Sequence, residues 1–326
     1  MKVLLGLSGG VDSAVAALLL RQAGYTVLGC YLDNGLPGAE AAQECAEALG
    51  ISLSVVDIRD ELEERVCAPF TAAYLRGETP NPCVLCNPLV KFPALLREAD
   101  RQGAEYIATG HYARAENGGL YKGMAPNDQS YMLCRLRRGQ AERLLLPLGG
   151  YSKEQVRALA EEKGLSVAHK AASMEICFIP DKDYARYIEA RGITPPKGAF
   201  LYRGETVGEH GGIHHYTLGQ RRHLGIALGQ RVYVSAIDCE KNTVTLSDDD
   251  EVWTDSIRLR DVSLLTEAVY PFRCTARIRH SRDDSPACTV YADGRVEFDG
   301  GVRAPTPGQA CALYDGDRVL GGGWIE

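Results

Sequence analysis

Ser8-Gly9-Gly10-Val11-Asp12-Ser13 comes directly after an apolar run and opens a stretch rich in alanine and leucine. Glycine lets a backbone approach a ligand closely and take positive φ. In a loop that enters a helix, the free amides then converge on an anion. The hydroxyls of Ser8 and Ser13 add donors, and Asp12 suits either the cation side of a bound polyphosphate or a helix cap. No Gly-Lys-Ser/Thr follows, so this is not a Walker A loop.

A second set of residues points to sulfur. Thr79-Pro80-Asn81-Pro82-Cys83-Val84-Leu85-Cys86-Asn87 sets a Cys-x-x-Cys pair between a proline-rich loop and a helix. A thiol at a helix N-terminus is expected to have a depressed pKa and to serve as nucleophile or ligand. The pair is half a zinc site, and no second Cys-x-x-Cys or His-x-x-x-His completes it. Two structural thiols are the plain alternative. Cys177 lies in Ser173-Met174-Glu175-Ile176-Cys177-Phe178-Ile179, whose apolar side chains also suit an inert buried thiol. The sharper expectation is that both regions meet over the phosphate loop. Of the eleven cysteines, Cys30, Cys45, Cys67, Cys134, Cys239, Cys274, Cys288 and Cys311 lack such settings and read as core or surface residues.

These groups need a scaffold, and the first half of the chain supplies an α/β pattern. Strands are expected over 2–7, 25–32, 52–57 and 105–108. Helices are expected over 12–23, 39–49, 60–76, 91–102 and 183–191, and from Ser152 to 163 behind a capping-box spacing. Such alternation predicts a doubly wound parallel sheet. Its ligand crevice lies at the strand ends, where Leu32 and Gly110 fall. Leu32 suits an adenine contact or plain core, and Gly110 a ligand contact or a structural turn. Ile193-Thr194-Pro195-Pro196-Lys197-Gly198 reads as a linker. Beyond it, short β-branched runs and turns predict a small central domain and then a β-barrel. The expected domains are 1–194, 195–248 and 249–326.

With 326 residues, 45% of them hydrophobic, the chain can bury large cores, which excludes global disorder. A net charge of −7 excludes an all-round basic coat but not a local basic face. No apolar run suits a membrane span or signal peptide, so a cytosolic protein with no membrane partner is expected. In a reducing compartment the cysteines are not a disulfide framework.

The Ser8–Ser13 loop resembles the SGGxDS pyrophosphate loop of N-type ATP pyrophosphatases, which split ATP between the α and β phosphates and adenylate an acceptor. SGGVDS, TPNPCVLCNxxxKF, ATGHY, NDQSY, EICFI, YTLGQRxxLGI and TPGQ then occur in the order seen in the bacterial tRNA-specific 2-thiouridylase family, nearly end to end. That resemblance implies a pyrophosphatase domain, a central domain and a C-terminal barrel. It implies replacement of the wobble uridine C2 oxygen by sulfur in tRNAs for Lys, Glu and Gln, with ATP, Mg2+ and a persulfide or sulfide donor protein. Gly6, Leu7, Ser8, Gly9, Gly10, Val11, Asp12, Ser13, Leu32 and Gly110 would hold the nucleotide. Cys86 matches the family nucleophile and Cys177 the persulfide carrier. Asn81, Pro82 and Cys83 match the loop that meets the target base. His111, Asn127, Asp128, Gln129, Arg279, His280 and Gln309 match tRNA contacts. The segment 33–38 is shorter than is common in the family, and Ala172 stands where Asp is common.

Two sulfur routes stay open. Persulfide transfer would end in a Cys86–Cys177 disulfide, reset by a reductant. Alternatively, Cys83, Cys86 and Cys177 could hold a 4Fe–4S cluster with one open iron. Arg273, Arg277 and Arg279 alternate as on one strand face, and Arg221, Arg222 and His223 form a second basic cluster, so both are candidate phosphate contacts. An amidotransferase-type synthetase, a non-catalytic sulfur carrier and a paralogue acting on another RNA are the rivals.

Overall fold

The computed structural model describes residues 1–169, 176–249, 252–280 and 285–326. Its first layer begins with β1 (Lys2–Gly6), α1 (Val11–Gln22), β2 (Thr26–Asp33), α2 (Ala39–Leu49) and β3 (Leu53–Asp57). A helical column follows: α3 (Arg59–Leu62), a π-helical turn Glu63–Cys67 and α4 (Ala68–Leu75). A second column runs through α5 (Pro82–Cys86), a π-helical turn Asn87–Lys91 and α6 (Phe92–Gln102) into β4 (Tyr106–Ala108). The chain continues through β5 (Ala113–Glu116), β6 (Gly119–Lys122), α7 (Ser130–Leu133), α8 (Arg138–Ala141), β7 (Leu144–Leu145) and α9 (Lys153–Glu162).

Val3, Leu4 and Leu5 are fully buried, as a central strand covered on both faces requires. The sheet order is β3-β2-β1-β4-β7, and every pair is parallel. Strand order reverses between β1 and β4. The loops after these two strands therefore open into one crevice, the switch point where doubly wound sheets take ligands. Ser152 and Gln155 form the capping box that their spacing predicts.

Two departures from the expected pattern affect the site. The helix expected over 91–102 starts much earlier, so the cysteine pair lies inside a helical column. Pro88 lies in the π-helical turn Asn87–Lys91 and Pro93 just after it, so the column widens where the proline rings and missing N–H groups fall. The second is the β5–β6 hairpin, which leaves the first domain and pairs through Tyr121 and Arg318 with the last strand of the chain.

After α10 (Tyr184–Ala190), the central unit is a four-stranded sheet of β8 (Gly198–Tyr202), β9 (Glu205–His210), β10 (Tyr233–Asp238) and β11 (Thr243–Ser247), ordered β10-β11-β8-β9. The last unit holds β12 (Trp253–Leu264), β13 (Phe272–Arg277), β14 (Ala287–Val290), β15 (Arg295–Arg303), β16 (Ala310–Asp315) and β17 (Arg318–Ile325). Its order β12-β15-β14-β13-β16-β17 closes through a β12–β17 pairing into a six-stranded barrel. Closure removes the sheet edges. No described helix is long and apolar enough to cross a membrane.

Candidate active site

The phosphate loop joins β1 to α1 through Gly9, whose φ is +72°. A Cβ there would lie 2.6 Å from the Ala41 backbone. Ser13 Oγ donates to the Gly10 carbonyl at 3.0 Å and accepts from the Ser8 amide at 3.3 Å, which holds the bend shut. Gly6, Leu7, Gly10 and Val11 complete it, and the hydroxyl of exposed Ser8 lies 3.3 Å from Ser13 Oγ across the bend. Gly110 closes the crevice from the β4 side. A Cβ on it would come within 3.0 Å of Asp12 C and Ser13 N, so only glycine fits without displacing the loop.

Asp12 does not stand free for a metal. Its carboxylate accepts from Lys153 Nζ at 2.7 and 2.5 Å and from Tyr112 Oη at 2.7 Å. The sequence places Lys153 only within the capping-box stretch and gives it no part in the site. The available signal was a cation in the first turn of α9, where the helix dipole disfavours it.

Asn81 caps α5 by accepting from the Val84 amide at 3.2 Å, which launches the cysteine pair from a fixed point. Cys86 packs with Ile58, Leu62, Val66 and Val90 in an apolar cluster that Leu32 and Phe178 also join. Phe178 follows Cys177 directly and lies edge-on to Phe70 at 5.4 Å. Phe178 therefore seats the Cys177 turn on the same apolar cluster that Cys86 packs against, with Cys177 itself exposed. Ala172, Ser173, Met174 and Glu175, just upstream, lie outside the described residues.

The thiol pKa expectation is overturned. Burial pushes the Cys83 thiol up, and it pushes Cys86 up to about 11. The α5 N-terminus does not prevail, because Cys86 ends that short helix and sits among apolar side chains. Lys91, another residue given no part in the site by the sequence, opposes burial at both thiols. It also adds to the burial that holds the His111 imidazole well below its usual pKa. His111 is thus a neutral ring, with Nδ1 2.7 Å from Thr109 Oγ1 and its face on Phe92.

Several residues that the resemblance assigns to RNA are engaged internally. Asp128 is buried and accepts from Arg277, Ser130 and Gly123, so its carboxylate has no bond left for RNA in this conformation. Arg279 donates to the Ala304 carbonyl and Thr306 Oγ1. Gln129 accepts from the Tyr112 amide at 2.9 Å. Asn127 is half-buried with Nδ2 unpaired among the described residues. The expected three-arginine face does not form: Arg277 is buried, while exposed Arg273 pairs with Asp299. His280 is exposed near Tyr131, and Arg221, Arg222 and His223 are exposed as expected.

Gln309 has an unforeseen place. Its Nε2 donates to the Thr79 carbonyl at 2.7 Å, and the Thr79 amide donates to the Pro307 carbonyl at 2.8 Å. Thr79 Oγ1 donates to Thr217 Oγ1 of the central unit at 3.1 Å. All three units therefore meet on the loop that leads into Cys83.

Fold and loop together define an ATP pyrophosphatase-type domain followed by two barrels. Three family models agree: the tRNA methyl transferase HUP domain matches residues 1–181, the tRNA methyl transferase PRC-barrel domain 191–248, and the aminomethyltransferase beta-barrel domain 254–325. The curated relatives carry a more specific name. The chain is 45% identical to the tRNA-specific 2-thiouridylase MnmA of Pelotomaculum thermopropionicum, over 100% of this chain and 97% of that one. It is 44% identical to the MnmA of Syntrophotalea carbinolica, over 99% and 98%. With that of Acetivibrio thermocellus the identity is 41%, over 100% and 99%. The chain belongs to the tRNA-specific 2-thiouridylase family.

Proposed function

We propose that the protein is an ATP-dependent tRNA 2-thiouridylase in which Cys86 and Cys177 carry sulfur to uridine C2. The observation that carries this reading is the seating of the Cys177 turn, through Phe178, on the apolar pocket of Cys86 beside Leu32 at the sheet crevice. A urea-type carbonyl is a poor electrophile. Attack of its oxygen on the ATP α-phosphorus expels pyrophosphate and leaves an O-adenylate on C2. The loop amides and Lys153 lie where negative charge develops. The terminal sulfur of a Cys177 persulfide, loaded by transfer of sulfane sulfur from a persulfide donor that is left as its thiol, then attacks C2, and AMP leaves. Cys86 thiolate next attacks Cys177 Sγ. The S–S bond breaks toward the base and leaves a thiocarbonyl and a Cys86–Cys177 disulfide, which a thiol reductant resets.

Neutral His111 and the Asn81–Cys83 turn line the approach of the extruded base, and Gln309 braces that turn. The Asp12 carboxylate is held by Lys153 and Tyr112, so Mg2+ is assigned to the nucleotide phosphates and not to a protein carboxylate.

A second reading rests on Cys83, which lies one helical turn from Cys86 in α5 and is half-buried like it. With Cys177, these thiols would hold a 4Fe–4S cluster, which when bound would carry sulfide on its open iron. Nucleoside mass analysis of tRNA incubated with enzyme, ATP and a persulfide donor, with no free sulfide added, separates the outcomes. Cys86→Ser and Cys177→Ser are expected to abolish 2-thiouridine while tRNA still binds; thiouridine formed by either variant overturns both roles. Full activity of iron-free protein eliminates the cluster. Activity that needs iron and disappears in Cys83→Ala establishes it. AMP formation independent of tRNA would remove the proposed activity.

A further inference from the structure

Glu189, His214 and His215 bring one carboxylate and two imidazoles together, far in sequence from the thiol site. Glu189 is the penultimate residue of α10, and the two histidines occupy the short 3-10 turn Ile213–His215. Their ligand atoms all lie within 4.8 Å of one another. His214 Nε2 is 3.1 Å and His215 Nε2 3.5 Å from the same oxygen, Glu189 Oε1. Ligands at the usual zinc bond lengths sit roughly 3.3 Å apart along a tetrahedral edge. Both separations bracket that value. The rings lie 4.1 Å apart at 41°, so neither blocks the other's Nε2.

Two imidazoles on one carboxylate oxygen are an uncommon way to satisfy polar groups, but a familiar start to a metal centre. His215 and Glu189 are partly exposed, so a cation and a fourth ligand, water, have access.

We propose that Glu189, His214 and His215 form a site for a divalent cation of the zinc class, which clasps the helix after the Cys177 turn to the central barrel. The clasp joins contacts already present. Tyr184, on the same helix, donates to the His215 carbonyl at 3.3 Å and stacks on Tyr74 of α4 at 4.6 Å. Metal binding here stands independently of what Cys177 does chemically. A metal on Nε2 moves the His214 proton to Nδ1, which has no partner among the described residues. Missing second-shell bonds cost zinc sites about 10–100-fold in affinity. The site is therefore weak and exchangeable, stripped by chelators.

The test uses full-length protein with Cys83, Cys86 and Cys177 replaced by Ser, so that these thiols do not compete. Titration with Co2+ is expected to give one saturable site per chain, with tetrahedral visible bands, no intense thiolate charge-transfer band and displacement by Zn2+. In that background, Glu189→Gln, which keeps a hydrogen bond to His214, and the partly exposed His215→Ala should each weaken binding at least tenfold. Zinc should slow amide exchange over 184–190 in the parent alone. No saturable site, a thiolate spectrum, or equal binding by the variants overturns the site. Binding without slower exchange overturns the clasp.

Discussion

Only the thiolate form of a cysteine attacks, so the pKa of Cys86 controls when it can react. Its pKa near 11 makes it a thiol at neutral pH, and the Lys91 charge keeps it from rising further. Iodoacetamide at pH 8 is therefore expected to label the exposed Cys177 well before Cys86. Cys86 labelling should climb as pH rises toward 11, as peptide mass analysis across a pH series would show. Lys91→Met should move that climb to higher pH and cut thiolation about tenfold, or ~1.4 kcal/mol in the barrier. An unchanged labelling profile would separate Lys91 from the thiols. The polarity follows from the charge: removing a nearby cation disfavours an anion.

At the scale of elements, the crevice depends on how closely β4 approaches α1. Gly110→Ala places a methyl group against the Asp12 and Ser13 backbone, with no flexible side chain to yield. It should cost about 1–3 kcal/mol in stability and weaken ATP binding, measured by thermal melts with and without ATP. Wild-type ATP affinity in this variant would remove Gly110 from the nucleotide site. Much of this layer was legible from local signals. An apolar run, a glycine bend and an alanine-rich helix announce themselves within a dozen residues. So does the capping box at Ser152. Lys91 and Lys153 were not legible, because their partners come from other elements and no periodicity marks them. The depressed thiol pKa was a misreading of the same kind, since local helix geometry was visible and distant burial was not.

The whole molecule is joined by contacts that sequence patterns carry poorly. The barrel was legible from its strand spacing, but the β5–β6 hairpin that joins it gave no sign of its destination. Arg277 looked like a surface cation by strand alternation. In the fold it is the buried partner of Asp128, with both side chains at most 7% exposed. Breaking such a pair leaves an uncompensated buried charge and costs about 3–5 kcal/mol. Asp128→Asn should lower the unfolding free energy by an amount of that order, and the melting temperature with it. Replacing both residues together by apolar ones should recover part of it. If Asp128→Asn instead leaves stability intact and weakens tRNA binding alone, the residue faces RNA in solution.

Thr79 is a small residue with a long reach. Its carbonyl, amide and hydroxyl are each claimed by a different neighbour, two in the outer barrel and one in the central unit. Neither the outer barrel nor the central unit can shift against the first domain without loading that one peptide, which lies three residues ahead of the helix that bears Cys83 and Cys86.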